Sequence, residues 1–219
     1  MKLKILANNI INFSINRIIE ILGMVILIAG ALLFSSLITF SPDDPNFIFP
    51  IDTEIKNILG FRGSFTADIF FQSFGLISLL IPLSLIVTGI NIIINKKIFL
   101  IIESIFYTIL YSLLGSLFFS FFYQVAFKLY INGNGGFIGK YLEATFFNSI
   151  ISISPQTFYY ILILLILILF LISIQFKIKS FYNIIKKTIK FLFTKKEKNY
   201  TNENEVISEF IPQEEITNL

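Results

Sequence analysis

The side chains that could do chemistry in this sequence are lysines, carboxylates and hydroxyls, together with one glycine-rich stretch. The sequence contains no His and no Cys, which excludes thiol nucleophiles, disulfides, Ser-His-Asp triads and His-based proton relays. No acid–base pair or nucleophile constellation can be assembled from the remaining residues. We therefore expect a protein that is not an enzyme and that holds no cofactor and no metal.

The glycine-rich stretch NGNGGFIGKY, residues 132–141, superficially resembles a phosphate-binding loop. It fails the G-x-x-x-x-G-K-[ST] template, because Asn134 occupies the first glycine position and Tyr141 the Ser/Thr position. Turns that need a positive φ explain these glycines better than nucleotide binding does.

Glu103 is the carboxylate that lies well inside a predicted membrane span. An intramembrane acid is a functional-site hypothesis by default, so a small inner-membrane transporter or channel subunit is the alternative function. However, Glu103 lies close enough to the Lys96-Lys97 turn to reach the membrane interface. The spans also offer few polar partners for a proton pathway, and we favour the interfacial interpretation.

The segment 177–198 is basic and has helical organisation. At helical spacing its apolar residues fall on one side, and Lys179, Lys186, Lys187 and Lys190 gather on the other. This pattern predicts an amphipathic juxtamembrane helix on an anionic leaflet, with each lysine adding about 1 kcal/mol near the surface. Lysines neutralise nucleic-acid phosphates equally well, but no DNA-binding motif is recognisable, so we do not expect direct DNA contact.

The composition is that of an integral membrane protein. Mean hydropathy is +0.81 and only 14% of residues are charged, so a soluble domain of this size could not bury the apolar surface. We predict an all-α fold with four transmembrane helices at about 21–40, 69–94, 98–127 and 158–176, forming one domain over 21–176. Ala29-Gly30-Ala31 would suit signal cleavage, but the apolar run continues beyond it.

The distribution of Lys and Arg predicts the orientation of the spans. The N-terminal segment 1–20, the Lys96-Lys97 turn and the segment 177–198 are basic, whereas the first long connector is acidic. Four spans with both termini in the cytoplasm satisfy every segment. Residues 199–219 carry five glutamates and no basic residue, which predicts a disordered acidic tail.

The first connector begins with the acidic turn Ser41-Pro42-Asp43-Asp44-Pro45. Its prolines must end the first helix, because each fixes its own φ and disfavours the α region for the preceding residue. Asp52 is predicted to cap a short helix over Thr53–Leu59 that Gly60 ends. Asp68 is predicted at the N-terminal end of the second span, where the helix dipole favours an anion.

Small residues in the spans predict two faces for close helix packing. Gly75, Pro82 and Gly89 recur every seven residues in the second span, and Pro82 should kink it. Ser112, Gly115 and Ser116 offer a second such face in the third span.

The order and spacing of several short motifs resemble the N-terminal membrane domain of FtsK-type bacterial DNA translocases. In that domain the first span ends in an S-x-x-D-P turn, an N-x-x-G-x-x-G-A segment leads to A-D, and a G-G-x-x-G precedes the last span. The matching residues here are Phe40–Pro45, Asn57-x-Leu59-Gly60-x-x-Gly63, Ala67-Asp68, Phe74-Gly75 and Gly135-Gly136-Phe137-Ile138-Gly139. Ser64 departs from the small residue usual after Gly63.

The resemblance implies a multi-pass anchor in the bacterial inner membrane that homo-oligomerises, sits at the division septum and contacts division-site membrane proteins. It would position a DNA pump during cell division and chromosome partition. No P-loop ATPase occurs within these residues, so we expect the anchoring role alone, with an FtsK-type motor chain in trans as a candidate partner. The candidate partner-recognition residues are Ser41, Pro42, Asp43, Asp44, Pro45, Asn57, Gly60, Gly63 and Asp68.

Overall fold

The structure is a computed structural model that describes residues 2–45, 54–124, 132–177 and 186. Within these ranges the chain is helical and contains no strand. The helices in chain order are α1 (Lys2–Ile38), α2 (Gly60–Phe74), a 3₁₀ segment (Gly75–Leu80), α3 (Ile81–Asn95), α4 (Phe99–Phe122), α5 (Gly136–Leu142), α6 (Asn148–Ile153) and α7 (Pro155–Ser173). A wide helical turn, Glu143–Phe147, joins α5 to α6 and is kinked at Thr145.

Four segments of the described chain are long and apolar enough to cross a membrane. They are Asn9–Ile38, Gly60–Asn95, Phe99–Phe122 and Pro155–Ser173. The fold is therefore an all-α membrane domain, because a helix satisfies its own backbone hydrogen bonds in hydrocarbon. We call the end of the domain at which α1 ends and α2 begins the outer end.

The helices α1 and α3 pack with their backbones in close contact. A Cβ atom on Gly89 would lie 2.7 Å from the carbonyl oxygen of Gly23, and one on Gly30 would lie 2.9 Å from the backbone nitrogen of Ile86. Glycines at these positions therefore let the two helices approach, as is common in membranes where packing replaces the hydrophobic effect. At the other end of the same pair, Lys96 Nζ lies 2.8 Å from Glu20 Oε1.

The second span is interrupted at Gly75, earlier than the sequence predicts. Gly75 has φ +71°, and the chain continues as a 3₁₀ segment to Leu80. Pro82 does not kink the span: it lies in the first turn of α3, where its missing N–H costs no hydrogen bond. The interruption exposes the Leu76 N–H, which donates to the Asn134 carbonyl at 2.9 Å.

Hydroxyl pairs connect the spans inside the membrane. Ser84 Oγ and Tyr111 Oη share a hydrogen bond of 2.9 Å between α3 and α4, and Thr88 and Ser104 form a second pair one turn away. Thr108 Oγ1 and Ser173 Oγ lie 2.8 Å apart between α4 and α7. These polar groups satisfy one another between helices instead of lining a path.

Two local predictions for the first connector are wrong. Residues 54–59 are not helical, and a helix begins at Gly60, the residue predicted to end one. The predicted cap Asp52 and Thr53 lie outside the described residues. Long-range hydrogen bonds from the backbone N–H groups of residues 56 and 57 to the Asp44 carboxylate hold this stretch in a turn. Because α2 begins at Gly60, Asp68 is not at a helix N-terminus but lies buried inside α2, 5% exposed.

Residues 177–219 form a separate unit, of which the structure describes Lys177 and Lys186. Lys186 is helical and exposed. Lys179, Lys187 and Lys190 lie outside the described residues. The amphipathic helix over this segment and the acidic tail remain predictions.

Candidate functional site

Asp44 organises the first connector. Its side chain is fully buried, and its two carboxylate oxygens each accept a hydrogen bond of 2.8 Å, from the backbone N–H of Lys56 and from that of Asn57. A buried carboxylate is stable only where such donors replace water. The turn that ends α1 is thereby fixed to the segment that leads into α2, and we call this arrangement the carboxylate clip.

Asn57 extends the clip to both neighbouring helices. Its Nδ2 donates to the Ser36 carbonyl at 2.8 Å, and its Oδ1 accepts the Leu59 N–H at 3.1 Å. A Cβ atom on Gly63 would collide with Asn57 Oδ1, so only glycine fits there. Ser36 Oγ in turn donates to the Gly63 carbonyl, and Ser64 Oγ to that of Pro45 at 3.2 Å.

The candidate recognition residues therefore divide into a buried and an accessible group. Asp44, Pro45, Asn57, Gly63 and Asp68 are buried, whereas Ser41, Pro42 and Gly60 are partly exposed and Asp43 is exposed. Asp43 Oδ2 lies 3.3 Å from Lys56 Nζ in a surface ion pair. The buried residues are placed to fix the conformation of the connector. A partner would contact the exposed residues of that connector.

The exposed side chains next to the carboxylate clip are apolar. Ile58 is 70% exposed and Phe61 43% exposed, and Ile55 and Leu59 are also accessible. Phe61 stacks on Phe65 one turn along α2. These neighbours of the clip are exposed apolar residues at the outer end. The sequence already indicates an apolar connector through Ile55 and Ile58, but not through Leu59 and Phe61.

The second connector, residues 132–142, packs by backbone contact. Cβ atoms on Gly135 and Gly139 would overlap the Ser116 carbonyl oxygen, and a Cβ atom on Gly75 would overlap that of Asn134. Gly133 and Gly136 have φ of +73° and +67°, the positive region in which glycine is favoured. The glycine-rich stretch is therefore wedged between α2 and α4, and this close backbone contact accounts for its glycines.

A polar cavity of about 370 Å³ lies beside this connector. Glu143 reaches into it, accepting hydrogen bonds from Gln124 Nε2 at 2.9 Å and from Ser120 Oγ. Asn134 Nδ2 donates to the Tyr123 carbonyl. The carboxylate thus has partners from α4, and the arrangement fastens the connector to that helix.

The small residues predicted for close helix packing in the second and third spans do not all contact the same element. Gly89 meets α1, Gly75 meets the second connector, and Pro82 is buried between them. In α4, a Cβ atom on Gly115 would overlap the Ile77 side chain, and Ser116 Oγ donates to the Phe74 carbonyl at 2.8 Å. Ser112 is buried, and its Oγ has no hydrogen-bond partner among the described residues.

Glu103 lies on the exposed surface of α4. The neighbouring buried polar groups, Ser104 and Thr88, are hydrogen-bonded to each other. An exposed Glu103 is compatible with the interfacial location expected for it. The described residues place no buried polar group in position to continue a transport path from its carboxylate.

The sequence analysis did not identify the α1 residues of the close contact between α1 and α3. Gly23 and Gly30 are seven residues apart, the same spacing that drew attention to Gly75 and Gly89, and both are buried against α3. Ser36 and Asn134 were also missed, and their roles come from contacts distant in the chain that no local pattern encodes.

Fold and connectors together define a four-span membrane domain whose outer connectors are fixed by internal contacts. The family model for the 4TM region of DNA translocase FtsK/SpoIIIE matches residues 16–186. The chain belongs to this family, and the matched region is a membrane anchor, distinct from the motor.

Two curated relatives carry the name DNA translocase FtsK. The protein of Rhizobium meliloti (strain 1021) is 39% identical over 67 residues, which is 31% of this chain and 8% of that protein. The protein of Rickettsia bellii (strain RML369-C) is 32% identical over 72 residues, 33% of this chain and 10% of the relative. The match thus spans a tenth or less of either relative's length. No solved structure matches the chain.

Proposed function

We propose that this domain anchors an FtsK-type DNA translocase in the inner membrane at the division septum, where it self-associates and contacts other division-site membrane proteins. The domain itself is not an ATPase, and the motor is supplied by other residues, in the same polypeptide or in trans. The family match supports the anchoring role, and the outer connector supports the role in recognition.

The observation that carries the proposal is the carboxylate clip. A buried carboxylate with two backbone donors is a costly way to end a helix unless the connector must have one shape. The clip supplies that shape and leaves Ile58 and Phe61 exposed at the outer end. Apolar residues fixed on a rigid support are typical anchors of a protein interface.

Self-association would use the span that packs least against the other helices of the domain. The helix α7 packs mainly on α4, and Tyr160, Leu164 and Leu167 on it are exposed. In a membrane such a face contacts lipid or another span. The assembly size of the purified chain in nanodiscs tests this part of the proposal, and a strictly monomeric domain would contradict it.

The recognition role is tested by the position of a fluorescent fusion of the chain in dividing cells of its source bacterium. We expect septal enrichment for the wild type. Asp44→Asn and Gly60→Val should disperse the fusion over the membrane, since the first removes an acceptor of the clip and the second strains a residue at φ +64°. Glu54→Gln is the matched control, because Glu54 is an exposed carboxylate of the same connector outside the candidate set, and this variant should stay at the septum.

Membrane content of each fusion must be equal, which a membrane-fraction immunoblot establishes. Septal enrichment unchanged in both Asp44→Asn and Gly60→Val would refute the connector as the recognition element. A wild-type fusion spread evenly over the membrane would refute the septal role altogether.

A further inference from the structure

An open groove of about 400 Å³ runs along the outer half of the domain between α1 and α2. This size lies within the range of small-molecule sites. The lining residues are Ala29, Leu32, Leu33 and Ser36 from α1, and Leu59, Arg62, Gly63 and Thr66 from the start of α2.

The groove lies along the outer part of the first span-length segment and the start of the second. Its two walls are joined near the top by the hydrogen bond from Ser36 Oγ to the Gly63 carbonyl. From Ser36 down to Ala29 is about 10 Å at the helical rise of 1.5 Å per residue. The lower walls are apolar, and Ala29 and Leu32 face the surrounding medium.

Arg62 lies at the rim of this groove, in the first turn of α2, and is exposed. The ion pairs formed among the described residues are Arg17–Glu20, Lys56–Asp43 and Lys96–Glu20, so the Arg62 guanidinium has no carboxylate partner there. The α2 N-terminus also lacks a side-chain cap, and its dipole adds to the local preference for an anion. An anionic group is therefore favoured at the top of an apolar groove.

We propose that the groove binds one anionic phospholipid, with an acyl chain along Ala29 and Leu33 and the phosphate on Arg62. A guanidinium can hold a phosphate through two parallel hydrogen bonds and is more weakly hydrated than an ammonium group. Basic groups between membrane helices are an established setting for lipid headgroups. The site does not depend on the septal role proposed above.

A second copy of this chain fits the groove less well. A two-fold contact through the groove would bring Arg62 near its own symmetry mate, because such interfaces use the same patch on both subunits. The exposed faces of the spans offer no compensating acid at this end: α7 contains none, and Glu20 of α1 and Glu103 of α4 lie near the opposite end. Of the exposed acids that the structure describes in the first connector, Asp43 is already paired with Lys56, which leaves Glu54 alone. Charge complementarity thus favours a phosphate.

Native mass spectrometry of the full chain, released from nanodiscs of phosphatidylglycerol and phosphatidylethanolamine, tests the proposal. We expect the wild type to retain one phosphatidylglycerol. Arg62→Gln should lower that retention roughly tenfold, the loss of one charge-assisted contact. Ala29→Phe should lower it as much by filling the groove, and it should fold, because Ala29 is exposed.

Two matched controls separate the groove from general effects. Lys140→Gln removes a cation from the second connector, and Ile28→Phe enlarges the neighbouring exposed residue of α1; both should retain the lipid. Equal retention by Arg62→Gln and Lys140→Gln, or full retention by Ala29→Phe, would overturn the proposal. Retention of phosphatidylethanolamine equal to that of phosphatidylglycerol would also overturn it. The same holds if Ala29→Phe leaves lipid retention unchanged and instead alters the amount of protein dimer, because the groove would then be a contact between two copies of the chain.

Discussion

The two outer connectors solve the same problem with different chemistry. The first joins α1 to α2 through side chains: Asp44 and Asn57 hold backbone N–H and C=O groups of segments distant in the chain. The second is wedged between α2 and α4 through glycines whose backbone touches other backbone. The first is thus a set of hydrogen bonds around buried polar side chains. The second is mainly a steric fit of glycine backbone, to which Asn134 and Glu143 add side-chain hydrogen bonds.

This difference supports the proposal of a separate role for each connector. Close backbone contact by glycine gives tight packing, and the exposed residues beside it on the second connector are Phe137 and Tyr141. A clip built from buried side chains fixes a turn while Ile58 and Phe61 remain outside it. We therefore propose that the second connector mainly packs and that the first recognises a partner.

The largest effect should come from the steric fit. Gly75→Ala forces a Cβ atom into the Asn134 carbonyl at a residue with φ +71°, and should lower the free energy of unfolding by about 3 kcal/mol or more. Gly133→Ala is the control, because Gly133 has φ +73° but its nearest neighbour is the flexible end of Lys140 at 3.9 Å. It should cost about 1 kcal/mol. Both free energies are measured by unfolding in mixed micelles. Equal losses for Gly75→Ala and Gly133→Ala would show that the steric contact at Gly75 does not contribute.

The carboxylate clip should give the next largest effect. Asp44→Asn turns one acceptor of a backbone N–H into a donor, and leaving that buried N–H unsatisfied should cost about 2 kcal/mol. Asp43→Asn, in the exposed pair with Lys56, should change stability by less than about 1 kcal/mol. The same unfolding assay measures both, and similar values for the neighbouring aspartates would contradict the clip.

The smallest effect should come from the hydroxyl pairs between spans. A double-mutant cycle of Ser84→Ala and Tyr111→Phe isolates the 2.9 Å hydrogen bond between α3 and α4. We expect a coupling energy of about 0.6 kcal/mol, as is usual for such bonds inside a membrane. A coupling energy above that of an Asp44→Asn and Asn57→Ala cycle would show that the spans, not the clip, hold the bundle.

The membrane fold could be predicted from the sequence because its signal is local. Long apolar runs with few charges encode the spans, and Ser41–Pro45 encodes the end of the first one. The clip could not be predicted, because its hydrogen bonds join residues at least 12 positions apart; propensity instead favoured a helix over Thr53–Leu59. The break at Gly75 was missed for the same reason, since it depends on contact with Asn134.

The candidate site was predicted in part. The motif residues do lie in the first connector, but the patterns do not say which of them are buried. Burial assigns Asp44 and Asn57 to holding the turn and points to Ile58 and Phe61 for contact, two apolar residues that look ordinary in so apolar a sequence. Sequence spacing identified the element, and tertiary contacts were needed to identify its exposed face.

The most direct test of the assignment compares one exposed aromatic residue on each connector. Phe61→Ser and Phe137→Ser remove rings that are 43% and 62% exposed, in fluorescent fusions quantified at the septum of dividing cells at equal membrane content. We expect Phe61→Ser to reduce septal enrichment to the level of the surrounding membrane and Phe137→Ser to leave it unchanged. Loss of enrichment in Phe137→Ser alone, or in neither variant, would contradict the assignment of recognition to the first connector.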